Sequence, residues 1–129
     1  MAKQIHGSAN SERILLADDE EMVRKTIRMI LAFSGYQVVE AVDGEDAVRK
    51  YIDTSPPFDL VLMDYDMPRL SGAEALTRIR RHDPMAKVIL LSGGVHFAEM
   101  EKVMFLPKPF DNQELIGLIR QTLDADQSA

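Results

Sequence analysis

Short apolar runs alternate along this chain with longer stretches in which apolar residues recur every three or four positions. Four runs have the length of strands: Ile14 to Ala17, Leu60 to Met63, Val88 to Leu91, and Met104 to Pro107. Gln37 to Glu40 is a brief fifth. The apolar runs are nearly continuous rather than alternating, which fits strands covered on both faces. After the first run, Met22, Val23, Thr26, Ile27, Ile30 and Leu31 follow helical spacing, and Gly35 stands where such a helix would stop. The Val42-Asp43-Gly44 turn leads into a helix carrying Ala47, Val48, Tyr51 and Ile52. Pro56-Pro57 ends that segment, because proline has no amide donor and restricts the residue before it. A loop from Met67 to Gly72 precedes a helix with Ala73, Leu76, Ile79 and Arg80. A short helical stretch near Phe97 to Val103 and a final helix from Asp111, with Leu115, Leu118, Ile119 and Leu123 on one broad face, complete the pattern. Five strands alternating with five helical stretches predict an α/β fold, a parallel sheet with helices on both faces.

The chain has 129 residues, which suits one domain with a real core. Residues 1–11 are polar and aperiodic and read as a flexible N-terminal arm; residues 125–129 read as a C-terminal tail. A net charge of −6 argues against general nucleic-acid binding, which needs a basic surface. There is no cysteine, hence no disulfide framework and no thiolate metal site. No apolar run approaches the ~20 residues of a membrane span, and the first residues lack the apolar core of a signal peptide. A cytoplasmic protein is expected.

The chemistry gathers where the strands end. Asp18 and Asp19 close the first run, Asp64 the third, Ser92 follows the fourth and Lys108 the fifth. In a parallel sheet all of these share the carboxyl edge, where open α/β sheets place their ligand site. Three carboxylates brought together repel one another, and either a proton or a hard cation resolves the conflict. A hydroxyl and an ammonium at the same rim suit an anion. The combination points to Mg²⁺-assisted phosphoryl transfer to an aspartate, since a carboxylate can attack phosphorus to form an acyl phosphate.

Asp18-Asp19, Asp64-Tyr65-Asp66-Met67-Pro68, Gly72, Ser92-Gly93 and Lys108-Pro109-Phe110, in that order, resemble the response-regulator receiver domain of two-component signalling. The resemblance covers roughly residues 12–124. It implies a flavodoxin-like, doubly wound sheet of strand order 2-1-3-4-5 with five helices, the fourth shortened here. It also implies that Asp64 is the phosphoacceptor, taking its phosphoryl group from a histidine kinase or a histidine phosphotransfer protein. Mg²⁺ would be held by Asp19 directly, by Asp18 mainly through water, by Asp64, and by the backbone carbonyl of Asp66. Lys108 would pair with the phosphoryl oxygens, aimed by a cis bond before Pro109, and Ser92 would donate its hydroxyl to them. Ser92 and Phe105 would be the switch residues. Glu20 and Glu21 are assigned no chemistry, since acids stabilise a helix N-terminus.

Two rival readings remain at this point. Asp64-Tyr65-Asp66 is also similar to the Asp-x-Asp pair of haloacid-dehalogenase-like phosphatases, although there the motif follows the first strand. A non-phosphorylated interaction module on the same fold is the other. The stretch from Ser92 to Lys108 is short for a receiver, and the missing length falls on the surface through which receivers commonly signal. Output partner, fused domain and oligomeric state are left open.

Overall fold

The computed structural model describes residues 11–54, 57–93 and 103–125. Five parallel strands form one sheet: β1 (Arg13–Ala17), β2 (Gln37–Ala41), β3 (Leu60–Asp64), β4 (Val88–Ser92) and β5 (Met104–Pro107). Their order is β2-β1-β3-β4-β5, as the family resemblance implies. Four helices are present among the described residues: α1 (Glu21–Phe33), α2 (Gly44–Asp53), α3 (Gly72–His82) and α4 (Asn112–Asp124). The expectation of five is therefore corrected to four among these residues. The shortened helix expected near 97–103 lies outside the described residues except for Val103, which is not helical. The arm and the tail likewise lie outside them, apart from Ser11 and Ala125.

The central strands β3 and β4 are buried at every position, as continuous apolar runs should be. Successive side chains leave a strand on opposite faces, so each strand feeds two cores. Leu15, Ala17, Val61, Met63, Val88 and Leu90 pack with Ala47 and Tyr51 of α2 and with Ala75, Leu76 and Ile79 of α3. Ile14, Leu16, Leu60, Leu62, Ile89 and Leu91 pack with Ile27 and Leu31 of α1 and with Leu115 and Ile119 of α4. The edge strands β2 and β5 are only partly covered, because each lacks a neighbour on one side.

Local chemistry sets the helix ends. Asp43 caps α2 by accepting from the Asp46 amide at 2.8 Å. Ser71 with Glu74, and Asp111 with Glu114, form reciprocal capping boxes for α3 and α4. Helix α1 ends in a Schellman arrangement, with Tyr36 N–H donating to Leu31 O and Gly35 N–H to Ala32 O. Gly35 sits at φ 99°, where a Cβ would be strained.

Not every residue on the helical spacing faces the core. Met22 and Thr26 fit the helical spacing of α1, yet both are exposed, Met22 at 79%. The inward stripe of α1 instead runs through Val23, Arg24, Ile27, Ile30 and Leu31. Ile52 is also exposed rather than buried with Ala47 and Tyr51. Apolar residues tolerate exposure singly, so spacing alone does not assign a face.

Candidate functional site

Strand register brings the polar residues to one rim. Ala17 lies opposite Met63, so Asp18 and Asp64 leave adjacent strands at the same level. Asp64 lies opposite Leu91, one residue before Ser92, and Ser92 lies opposite Pro107, one before Lys108. A backbone bond from Lys108 N–H to Ser92 O, 2.9 Å long, carries this pairing to the end of β5.

Carboxylate oxygens of Asp18, Asp19 and Asp64 all lie within 4.8 Å of one another. Asp18 and Asp64 are buried and Asp19 is exposed. Lys108 Nζ donates to Asp64 Oδ1 at 3.1 Å. Asp18 Oδ1 accepts from the Glu20 amide at 2.9 Å, whereas its buried Oδ2 has no hydrogen-bond partner among the described residues. A buried oxygen without a donor is costly, and beside two further carboxylates it fits a hard divalent cation. The donor set, oxygen only, suits Mg²⁺ rather than a softer metal.

The electrostatics carry the same conflict. Burial, with the Asp64 and Asp19 charges, raises the Asp18 carboxyl from 3.8 to about 6 against the opposing pull of the Glu20 amide and Lys108. Burial also raises Asp64, although the Lys108 ammonium and the Asp66 amide draw it back down. Burial would lower Lys108, but its hydrogen bond to Asp64 and the charge of Asp18 leave it raised. Asp64 and Lys108 thus form a hydrogen-bonded acid–base pair in a partly buried cleft.

The remaining expected residues differ in burial. Ser92 is buried at the end of β4. The side chain of Asp66 is exposed. The Lys108–Pro109 peptide is cis. Phe105 is half-buried, opposite Leu90 and packed against the same core as Tyr65. Glu20 is the N-cap residue of α1 without a side-chain cap bond, and Glu21 is an acid in its first turn.

The loop after Asp64 is compressed against the strand end. Gly72 N–H donates to Tyr65 O at 2.7 Å. A Cβ on Gly72 would meet Asp64 O at 2.6 Å and the Tyr65 Cα at 2.9 Å. Both obstacles are backbone and belong to the residues that position the central carboxylate. Gly72→Ala is expected to cost about 1–3 kcal/mol through this overpacking. Urea unfolding measures the loss, and an unchanged midpoint would show that the loop moves freely.

Sequence reasoning missed Arg24 and Glu40. Arg24 is buried, and its guanidinium donates to Glu40 Oε1 at 2.7 Å and to Asp18 O at 2.8 Å. The available signal was a charge in the middle of the apolar stripe between Val23 and Ile27. A charge in that position is tolerated only with partners.

Known proteins share this fold. The family model of the response regulator receiver domain matches residues 14–120. The chain belongs to that family. As a receiver, it is 37% identical over 118 residues to the chemotaxis protein CheY of Treponema pallidum, covering 86% of this chain and 82% of that one. Its fold matches the receiver domain of the hybrid histidine kinase CckA at a TM-score of 0.76 and 35% identity, over 87% of this chain and 99% of that one. It matches response regulator TrrA of Thermotoga maritima, solved in complex with Mg(2+)-BeF, at a TM-score of 0.77 and 31% identity, over 86% and 98% of the two chains. This receiver is therefore a two-component signalling domain, and neither the phosphatase nor the non-phosphorylated module is favoured. No helix among its described residues is long and apolar enough to cross a membrane.

Proposed function

We propose that this receiver accepts one phosphoryl group on Asp64 from a histidine kinase or histidine phosphotransfer protein, using Mg²⁺, and signals through the resulting change around Ser92 and Phe105. The observation that carries the reading is the Asp64 carboxylate, 3.1 Å from the Lys108 ammonium and within 4.8 Å of the Asp18 and Asp19 carboxylates. Asp64 attacks phosphorus with a carboxylate oxygen, and an O–P bond forms as the donor's N–P bond breaks. The bond's electron pair leaves on the donor imidazole. Asp18, Asp19, Asp64 and the Asp66 carbonyl would hold the metal, whose charge offsets repulsion between carboxylate and incoming phosphoryl oxygens. Lys108 then exchanges its carboxylate partner for a phosphoryl oxygen, and Ser92 donates its hydroxyl to another. The domain in this reading catalyses its own phosphorylation and dephosphorylation and turns over no separate substrate. A cysteine-free chain is compatible with the reducing cytoplasm that such a partner implies.

Incubation with acetyl phosphate and Mg²⁺ tests the reading by intact mass spectrometry. One added phosphoryl group, abolished by EDTA, supports it. Sustained hydrolysis of p-nitrophenyl phosphate without a stoichiometric adduct would instead return the phosphatase.

Lys108→Ala should separate metal binding from phosphate sensing. The ammonium touches Asp64 in the resting domain, but its proposed work is with a dianion that arrives later. The variant is expected to keep most of its Mg²⁺ affinity and lose the larger part of the beryllofluoride-induced NMR shifts. Asp19→Asn should show the reverse order, failing first at the metal. Equal loss of Mg²⁺ affinity in both variants would remove this division of roles.

A further inference from the structure

We propose that Arg24 is a positioning residue for the metal-binding acids: its buried guanidinium ties the main chain of Asp18 to Glu40 and thereby sets the loop between β1 and α1. The inference rests on the Mg²⁺ reading above and adds a residue that touches neither metal nor phosphate. Arg24 lies on α1, is 8% exposed, and bridges two elements at once. Its Nε–H donates to Glu40 near the end of β2, and an NH1 hydrogen donates to the backbone carbonyl of Asp18. The Asp18 carbonyl belongs to the peptide that joins the two acids, so tilting it displaces both side chains.

Three cations converge on Glu40, and among the described residues Arg24 is the one that also donates to the loop. Lys25 and Arg28 contact Oε2 at 3.2 and 2.6 Å from side chains that are half exposed. Arg24 contacts Oε1 at 2.7 Å from a nearly buried position. Burial alone would raise the Glu40 carboxyl, but hydrogen bonds from Arg24, Arg28 and Lys25 outweigh it and hold it at about 2. Glu40 is therefore a charged anchor at any physiological pH. Lys25 and Arg28 still pair it when Arg24 is changed, so no carboxylate is orphaned and the fold should survive.

The planar guanidinium carries the geometry. It presents donors in two fixed directions, one to a carboxylate and one to a carbonyl, whereas a lysine offers one nitrogen on a flexible stem. Other bonds at this turn are the Asp18 N–H to Ala41 O, 3.2 Å, and the Asx-type turn from Glu20 N–H to Asp18 Oδ1. Both restrain the Asp18 amide side or its carboxylate, and neither touches its carbonyl. Mg²⁺ demands near-ideal octahedral geometry, so a small tilt of the ligand-bearing peptide costs affinity where a more permissive cation would adapt.

The test compares Arg24→Lys with Arg28→Lys in the full chain, each titrated with Mg²⁺ and followed by NMR. Arg24→Lys should stay folded, shift the amides of residues 18–20 before any metal is added, and bind Mg²⁺ roughly 10-fold more weakly, the scale of outer-sphere effects on metal sites. Arg28→Lys, which alters the same carboxylate's pairing from an exposed position, should leave the midpoint unchanged. Glu40→Asp retracts the anchor by one methylene and should weaken Mg²⁺ in the same direction, which decides the matter if Arg24→Lys fails to fold. A wild-type midpoint in Arg24→Lys, or in Glu40→Asp should Arg24→Lys not fold, overturns the role of Arg24 while the Mg²⁺ reading stands. Equal weakening in Arg28→Lys overturns it too, since the pairing of Glu40 rather than the bond to the Asp18 carbonyl would then be responsible. No Mg²⁺ response at Asp18, Asp19 and Asp64 in the native chain would overturn both.

Discussion

Asp64→Asn is expected to take up no phosphoryl group from acetyl phosphate or a phosphohistidine donor, under conditions where the native chain takes up one. Asparagine has nearly the same shape, so the strand end and its packing should survive. Its amide oxygen is neutral and a poor nucleophile, and it could not balance the cation proposed to bind beside it. The change also removes a buried carboxylate whose proton affinity burial raises, so no large loss of stability is expected. Asp66→Asn is the matched control: its side chain is exposed, and its proposed part in metal binding belongs to the backbone carbonyl. Intact mass spectrometry of the two variants, with and without EDTA, reads the result. Full-stoichiometry labelling of Asp64→Asn would sink the assignment of the phosphoacceptor.

Asp18→Asn is expected to stabilise the metal-free chain at neutral pH and to abolish most of its Mg²⁺ binding. Asp18 is fully buried, and its carboxyl is raised from 3.8 to about 6. The folded chain therefore binds this proton more tightly than the unfolded chain does. Stability is lost as pH rises from about 4 to about 6, and above that window the loss is complete. At 1.36 kcal/mol per tenfold change in proton affinity, the cost at pH 7 is about 2–3 kcal/mol. Asparagine escapes it. Its oxygen can still accept from the Glu20 amide, and its amide nitrogen replaces the unpartnered Oδ2 with a donor facing carboxylates. Urea unfolding in EDTA should show the variant pulling ahead between pH 4 and 6 and holding a constant lead above. A native chain that is the more stable at pH 8 would contradict the argument. Excess Mg²⁺ should reverse the order, because a ligand that binds only the folded state stabilises it by mass action. The site, on this view, trades stability for metal binding.

Much of the fold was legible in the sequence. Continuous apolar runs can be satisfied only by strands covered on both faces, and Gly35 and Asp43-Gly44 mark ends where backbone chemistry leaves few options. The sheet order came from the family resemblance, whereas the gathering of Asp18, Asp19, Asp64, Ser92 and Lys108 at one rim was readable because each stands at or just after the end of its strand. A parallel sheet sends every such residue to one edge, whatever the helices do.

The sequence did not show which face of a helix points inward when apolar residues occupy more than one. Met22 and Val23 are equally apolar, and only the placement of α1 against Leu16 and Leu60 turns Val23 in and Met22 out. Nor did it show what a charge in an apolar stripe pairs with. Arg24 and Glu40 are 16 positions apart, on different elements, and their bond exists because β2 lies beside β1 at the level of Asp18. Spacing along the chain encodes local geometry, since it reflects fixed helical and strand repeats. Which buried polar groups satisfy one another depends on distances across elements, and those are settled only when the whole sheet is packed.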